Sequence, residues 1–130
     1  MSFVLGIDTS NYTTSCALLD TADLSVRSCK KLLPVKQGER GLRQSDAVFH
    51  HTKQLPELMK QLFDKKYDIS AVGYSYAPRC AEGSYMPCFL VGENVAQAVS
   101  LACGADLEKT SHQVGHILAA CLLYTSPSPR

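Results

Sequence analysis

The six residues Phe3-Val4-Leu5-Gly6-Ile7-Asp8 constrain the fold most tightly. They are almost wholly apolar, and they stop at a carboxylate. A run of this length without polar alternation suits a strand buried on both faces, and strands of that kind belong inside α/β sheets. Asp8-Thr9-Ser10-Asn11 follows, rich in turn formers. Thr13 to Leu19 is a second short strand, with Cys16 and Leu18 on one face and Ala17 and Leu19 on the other. After a turn at Thr21-Ala22-Asp23, Leu24 to Leu33 alternates loosely and is more polar, as an edge strand would be.

The period then changes. Pro34 to Gln44 reads as loop, broken by Gly38 and Gly41. Val48, Leu55, Met59 and Leu62 form a helical stripe, with Ser45 or Asp46 as the expected cap and Lys65-Lys66 closing the helix. Pro56 sits inside it, where its missing N–H predicts a kink. Ile69 to Tyr76 is a fourth strand, and Pro78 to Gly83 a loop beyond its end. Pro87 is expected to open a second helix, buried along Val91, Val95, Val99 and Ala102 and stopped by Gly104. Ala105 to Thr110 is a weak fifth strand, and Ser111 can cap a third helix. The expected order is β-β-β-α-β-α-β-α, an α/β fold without internal repeats.

Composition narrows the class. A 130-residue chain that is 45% apolar and 19% charged is globular, with a formal net charge of +1. No basic run gives an independent sign of nucleic acid, although a local groove can still hold one. No apolar run approaches the ~18 residues of a membrane span. Six cysteines form no C-x-x-C pair and no leader precedes the first strand, so they are read as reduced, mostly buried thiols of a cytoplasmic protein. Residues 121–130, with prolines at 127 and 129, continue no periodic pattern and resemble a one-frame translation of a sequencing adaptor, the alternative being a natural Pro-rich tail. They are expected to be non-native, which would leave residues 1–120 as an incomplete lobe.

Several stretches have chemistry available. A carboxylate at a strand end followed by small hydroxyls, as in Asp8-Thr9-Ser10, either makes an ordinary Asx turn or holds a hydrated Mg²⁺ and phosphate oxygens. Asn11 extends that group. Arg79 follows the fourth strand, where open α/β sheets place ligands, and its planar fork suits phosphate or carboxylate. The alternative is an ordinary surface arginine. His50 and His51 are adjacent on a helix, so they do not face each other and are read as surface or groove-lining.

His112 and His116 are four residues apart. On a helix they would share a face, with Cβ atoms about 5–6 Å apart, and could converge on one metal ion. A metalloprotease would need a glutamate directly after the first histidine, and Gln113 stands there instead. Two imidazoles also leave a site short of the usual three protein ligands.

Leu5-Gly-Ile-Asp-Thr-Ser10, the Val72–Tyr76 strand, Phe89-Leu-Val-Gly-Glu93 and Ser111-His-Gln-Val-Gly-His116 occur in an informative order. In that order the chain resembles the amino-terminal lobe of the TsaD/Gcp family, formerly called O-sialoglycoprotein endopeptidases. The resemblance covers residues 3–120. It implies the actin, Hsp70 and hexokinase superfold, a ribonuclease H-like lobe truncated here. It implies transfer of a threonylcarbamoyl group from its adenylate to an adenosine beside the tRNA anticodon. It further implies an iron or zinc ion on His112 and His116, completed by an aspartate of the other lobe, and an adenylate or Mg²⁺-nucleotide cleft facing Asp8–Ser10. The third metal ligand, tRNA, the acyl-adenylate and protein partners of the same pathway all come from that resemblance.

Three positions depart from the family pattern. Val114 stands where the family has glutamate, Asn11-Tyr12-Thr13-Thr14 replaces its acidic residues, and Ala77-Pro78-Arg79-Cys80 with Glu82-Gly-Ser-Tyr85 replaces a G-P-G loop. They mark a divergent branch. They also leave open a non-catalytic paralogue that scaffolds a partner.

Overall fold

The computed structural model describes residues 2–10, 13–34, 44–77 and 87–111. Strands β1 (Phe3–Asp8), β2 (Thr13–Asp20) and β3 (Val26–Leu32) come first. Helix α1 (Gln44–Leu62), strand β4 (Ile69–Ala77), helix α2 (Phe89–Cys103) and strand β5 (Asp106–Ser111) follow. The element order agrees with expectation as far as β5. The expected third helix, residues 121–130 and loop residues 35–43 lie outside the described residues, and Gln44, expected at the end of that loop, belongs to α1.

The five strands form one sheet in the order β3-β2-β1-β4-β5. The meander β1-β2-β3 is antiparallel, whereas β4 and β5 run parallel to β1. The apolar opening run therefore sits in the centre of the sheet, but it is not buried on both faces as expected: only Leu5 and Ile7, on the helix-covered face, are buried. β3, exposed at nearly every position, is an edge. Both helices cover the same face. Leu5, Ile7, Cys16, Leu18, Val72 and Tyr74 project from the sheet into one cluster with Leu55, Leu58, Leu62, Val91 and Ala96.

The helices depart from their expected faces in an informative way. In α1, Leu55 and Leu62 are fully buried, but so is His51, and Ala47, Gln54 and Leu58 join them. His51 is thus a core residue, not a surface or groove residue. Its Nδ1 lies 2.7 Å from Thr14 Oγ1, and Thr14 in turn donates to Gln54 Oε1 at 3.0 Å. A hydroxyl donates once, so His51 Nδ1–H must donate to Thr14. Gln54 completes the chain by donating to Leu32 O at 3.3 Å. The network ties α1 to β2 and β3 and explains how two polar side chains can enter the core.

In α2 the buried face is Phe89, Val91, Gly92, Ala96 and Ser100. Val95 and Val99 flank it, and Ala102 is exposed rather than buried. Gly92, Ala96 and Ser100 recur every fourth residue and let the helix approach the sheet closely. A Cβ on Gly92 would come within 3.1 Å of Thr9 Oγ1 and 3.2 Å of Ile7 Cγ2. Val91 is buried near the start of the helix, whereas Val95 and Val99 fit only at the sides.

End signals shift by a residue or two. α1 begins at Gln44, which puts Ser45 and Asp46 inside its first turn rather than at the cap. Lys60, not Lys65-Lys66, occupies its last turn. The helix runs on through Pro56. Cys88 is the N-cap of α2, with Pro87 just before it. Gly104 ends α2 in the left-handed conformation, φ 65°, as its lack of Cβ allows.

Candidate functional site

β1, β4 and β5 run parallel, so their C-terminal ends meet at one edge of the sheet. Ligands of open α/β sheets favour that edge, where strands end and loops splay. Asp8, Ala77 and Ser111 are the last residues of these strands. The chain continues from Ala77 towards Arg79 and from Ser111 directly into His112. Arg79, Asn11, His112 and His116 lie outside the described residues, as do Cys80, Gln113 and Val114.

Asp8 closes β1. One of its carboxylate oxygens accepts from Ser10 N at 2.8 Å, which makes an Asx turn, and Thr13 N donates to Ser10 O at 3.0 Å. The hairpin between β1 and β2 is set by these two bonds. Asp8 and Ser10 are half-buried, and Thr9 is fully buried. Thr9 does something different from its neighbours. It donates to Cys88 O at 2.9 Å and accepts from Gly92 N at 3.2 Å. Its hydroxyl is thus engaged by the first turn of α2, so it serves here as a strap between the turn and that helix.

The face of the sheet turned away from both helices carries a polar row near this edge. Lys30 pairs with Ser15, and Ser15 pairs with Asp8. One step beyond the Ile7–Tyr74 pair, Asp8 comes level with Ser75, which itself pairs with Thr110. Ser75 is 5% exposed, and its Oγ has no hydrogen-bond partner among the described residues. Buried hydroxyls are normally bonded, so this one is a candidate ligand contact. It was missed in sequence because serine is unremarkable in a strand; the available signal was a polar residue at the end of an otherwise apolar run.

The next row back is built of small residues, Ala17, Gly6 and Gly73, in register. A Cβ added at Gly6 or Gly73 would meet nothing within 4 Å. A level floor beside a carboxylate and two hydroxyls lets a ligand reach the backbone closely. On the opposite face, the Tyr74 hydroxyl approaches Glu93 Oε1 at 3.5 Å, and burial, reinforced by Glu93, raises its pKa.

Among the described residues there is no group of three or more His, Cys, Asp or Glu side chains that could hold a metal ion. Among them also, no helix is long and apolar enough to cross a membrane. Cys16 and Cys88 are buried, Cys29 is half-buried, and Cys103 is exposed, so burial of the thiols is only partial.

No family model matches the chain. Curated proteins do. The tRNA N6-adenosine threonylcarbamoyltransferase of Campylobacter curvus is 30% identical over 121 residues, 92% of this chain and 34% of that protein. The protein of the same name from Thermosipho africanus is 28% identical over 130 residues, 97% of this chain and 38% of its own length. Over most of its length, then, the chain is similar to the amino acid sequences of tRNA N6-adenosine threonylcarbamoyltransferases. It spans between about a fifth and two fifths of the length of the curated relatives it matches. Among solved structures, YeaZ from Pseudomonas aeruginosa superposes with a TM-score of 0.59 at 19% identity, over 85% of this chain and 43% of that one. That likeness concerns the fold, the mixed-sheet lobe expected of the actin-like class.

Proposed function

We propose that this chain is the amino-terminal lobe of a tRNA-modifying enzyme of the cytoplasm. The reaction is transfer of a threonylcarbamoyl group from its adenylate to the exocyclic amine of an adenosine next to the anticodon. The observation that carries this reading is the continuity of its likeness to threonylcarbamoyltransferases, which covers 88% to 97% of the chain. The geometry supports it through the polar row Ser15, Asp8 and Ser75 beside the Gly6–Gly73 floor, at the edge where phosphate-bearing ligands of such sheets bind.

In this reading Asp8 and Ser10 face the acyl-adenylate, with Asn11 and Arg79 as further contacts and Mg²⁺ as a companion to a nucleotide phosphate. Thr9 acts indirectly, by holding the turn against α2. In the sequence, His112 and His116 come directly after Ser111, the last residue of β5. Their imidazoles suit iron or zinc, and they would hold such an ion with a third ligand from outside this chain. When bound, the metal supplies Lewis-acid polarisation and orientation of the acyl donor. Pathway proteins are the expected partners. A fragment of a two-lobe site should not turn over alone.

The test uses the longest protein encoded by the gene. Metal content is measured on the purified protein, and tRNA nucleosides are analysed after incubation with the acyl-adenylate. Loss of both metal and product in a His112→Ala, His116→Ala variant is expected. A metal-free protein that leaves tRNA unmodified would sink the reading. Val114, in place of the family glutamate, favours a second reading, a non-catalytic scaffold. That alternative requires His112→Ala to leave cellular function unchanged.

A further inference from the structure

Cys16 and Cys29 stand directly opposite each other across the antiparallel β2–β3 pair. Directly opposed residues share a sheet face, and here it is the face that α1 covers. Cys16 is 2% exposed within the core, and Cys29 is half-buried at its margin on the edge strand. Opposed Cα atoms in an antiparallel pair lie about 4.5 or 5.5 Å apart. Both separations fall within the range of about 4.4–6.8 Å that a disulfide spans. We infer that Cys16 and Cys29 form a reversible cross-strand disulfide, a peroxide-sensitive modification site that staples the edge strand to the sheet.

The two thiols have unequal roles. Burial, with Cys29 as a second cause, pushes the Cys16 thiol up to about 12, so Cys16 is a poor first nucleophile. Cys29 is the more accessible and reacts first. Its sulfur takes one oxygen from hydrogen peroxide; the O–O bond breaks, water leaves, and a sulfenic acid remains. The Cys16 sulfur then attacks the Cys29 sulfur. The S–O bond breaks, and a second water departs with the Cys16 proton. In sum, two thiols lose two hydrogens and one peroxide becomes two waters. A thiol reductant reverses the bond by exchange. Because Cys16 must give up its proton in the second step, closure is slow and accelerates with pH.

The test is peptide mapping of the full chain. Trypsin cuts after Arg27 and Lys30, so Cys16 and Cys29 fall on separate peptides, 1–27 and 28–30. The folded chain is treated with hydrogen peroxide, alkylated and digested. The linked 1–27/28–30 pair should be the main disulfide product, about tenfold or more above its yield in urea, as for groups held at high effective concentration. It should vanish on reduction and in Cys29→Ala, a half-buried position where small changes are tolerated. Circular dichroism checks that the variant folds. Recovery of Cys16 fully alkylated while exposed Cys103 is oxidised would overturn the inference. Equal linkage in urea would overturn it too, because strand register would then play no part. The readout needs no enzymatic activity, so it is separate from the proposed transfer reaction.

Discussion

Thr9 Oγ1 accepts a hydrogen bond from the Gly92 N–H at 3.2 Å, although 83 residues separate the two in sequence. The same hydroxyl donates to Cys88 O at 2.9 Å. One buried side chain therefore joins the hairpin after the central strand to the first turn of α2. Gly92 allows that approach, because any Cβ there would press on Thr9 and Ile7.

Gly92→Ala should accordingly destabilise the chain despite the higher helix propensity of alanine. Overpacking of a close contact costs about 1–3 kcal/mol, against a propensity gain of about 1 kcal/mol. Thr9→Val keeps the shape but removes both hydrogen bonds, a loss of about 1–3 kcal/mol, while Thr9→Ser should restore most of it. Urea unfolding of the three variants measures this. A stabilised Gly92→Ala protein would show that α2 does not lie this close to β1.

Thr14 and His51 form the second long-range polar link. Thr14→Val removes a partner of both His51 and Gln54, with an expected cost of about 1–3 kcal/mol, whereas His51→Leu leaves Thr14 bonded to Gln54 and should cost less. The double variant should cost less than the sum, since both changes remove the same contact. A double-mutant cycle from denaturant midpoints gives the coupling directly. Strict additivity would mean the 2.7 Å contact contributes nothing.

The apolar positions of α1 should divide sharply. Leu55 has no exposed surface, whereas Phe49 is 57% exposed. Leu55→Ala should cost about 2–5 kcal/mol through lost burial and the cavity left behind. Phe49→Ala should change stability by about 0.5 kcal/mol or less. Similar losses at the two positions would contradict the helix orientation.

The Cys16 thiol confers an alkaline limit. Its folded pKa is raised from 9.0 to about 12, so the folded chain resists a deprotonation that the unfolded chain accepts. Stability from this group is intact below pH 9 and is lost as pH rises from 9 towards 12, by up to about 1.4 kcal/mol per pH unit. Cys16→Ala should flatten the fall over that window. Thermal unfolding at stepped pH, compared between the two proteins, reads the difference.

Much of the fold was visible in the chain itself. The bounds of β1 and the helix stop at Gly104 need only local chemistry: an uninterrupted apolar run, and a residue free to take a positive φ. The burial of His51 was not visible, because histidine in a helix looks solvent-facing until Thr14 is known to lie beneath it. The face of α2 was misplaced for a related reason. Valines dominate its hydrophobic pattern, yet proximity to β1 selects glycine, alanine and serine for the sheet side. Within the candidate site, Asp8 was legible as a carboxylate ending a strand, while Ser75 was not, since only the register of β4 against β1 brings it level with Asp8.

By itself, then, the sequence determined the order of the elements, the central place of Phe3–Asp8 and the residue types able to bind a phosphate or a metal. These follow from periodicity, turn chemistry and side-chain valence, all of which act over a few neighbouring residues. Only the tertiary structure decided which polar groups are satisfied and which side chains share a face: Thr9 with Gly92, Thr14 with His51, Cys16 with Cys29. Those pairings depend on strand register and helix approach, which arise from packing between segments distant in the chain.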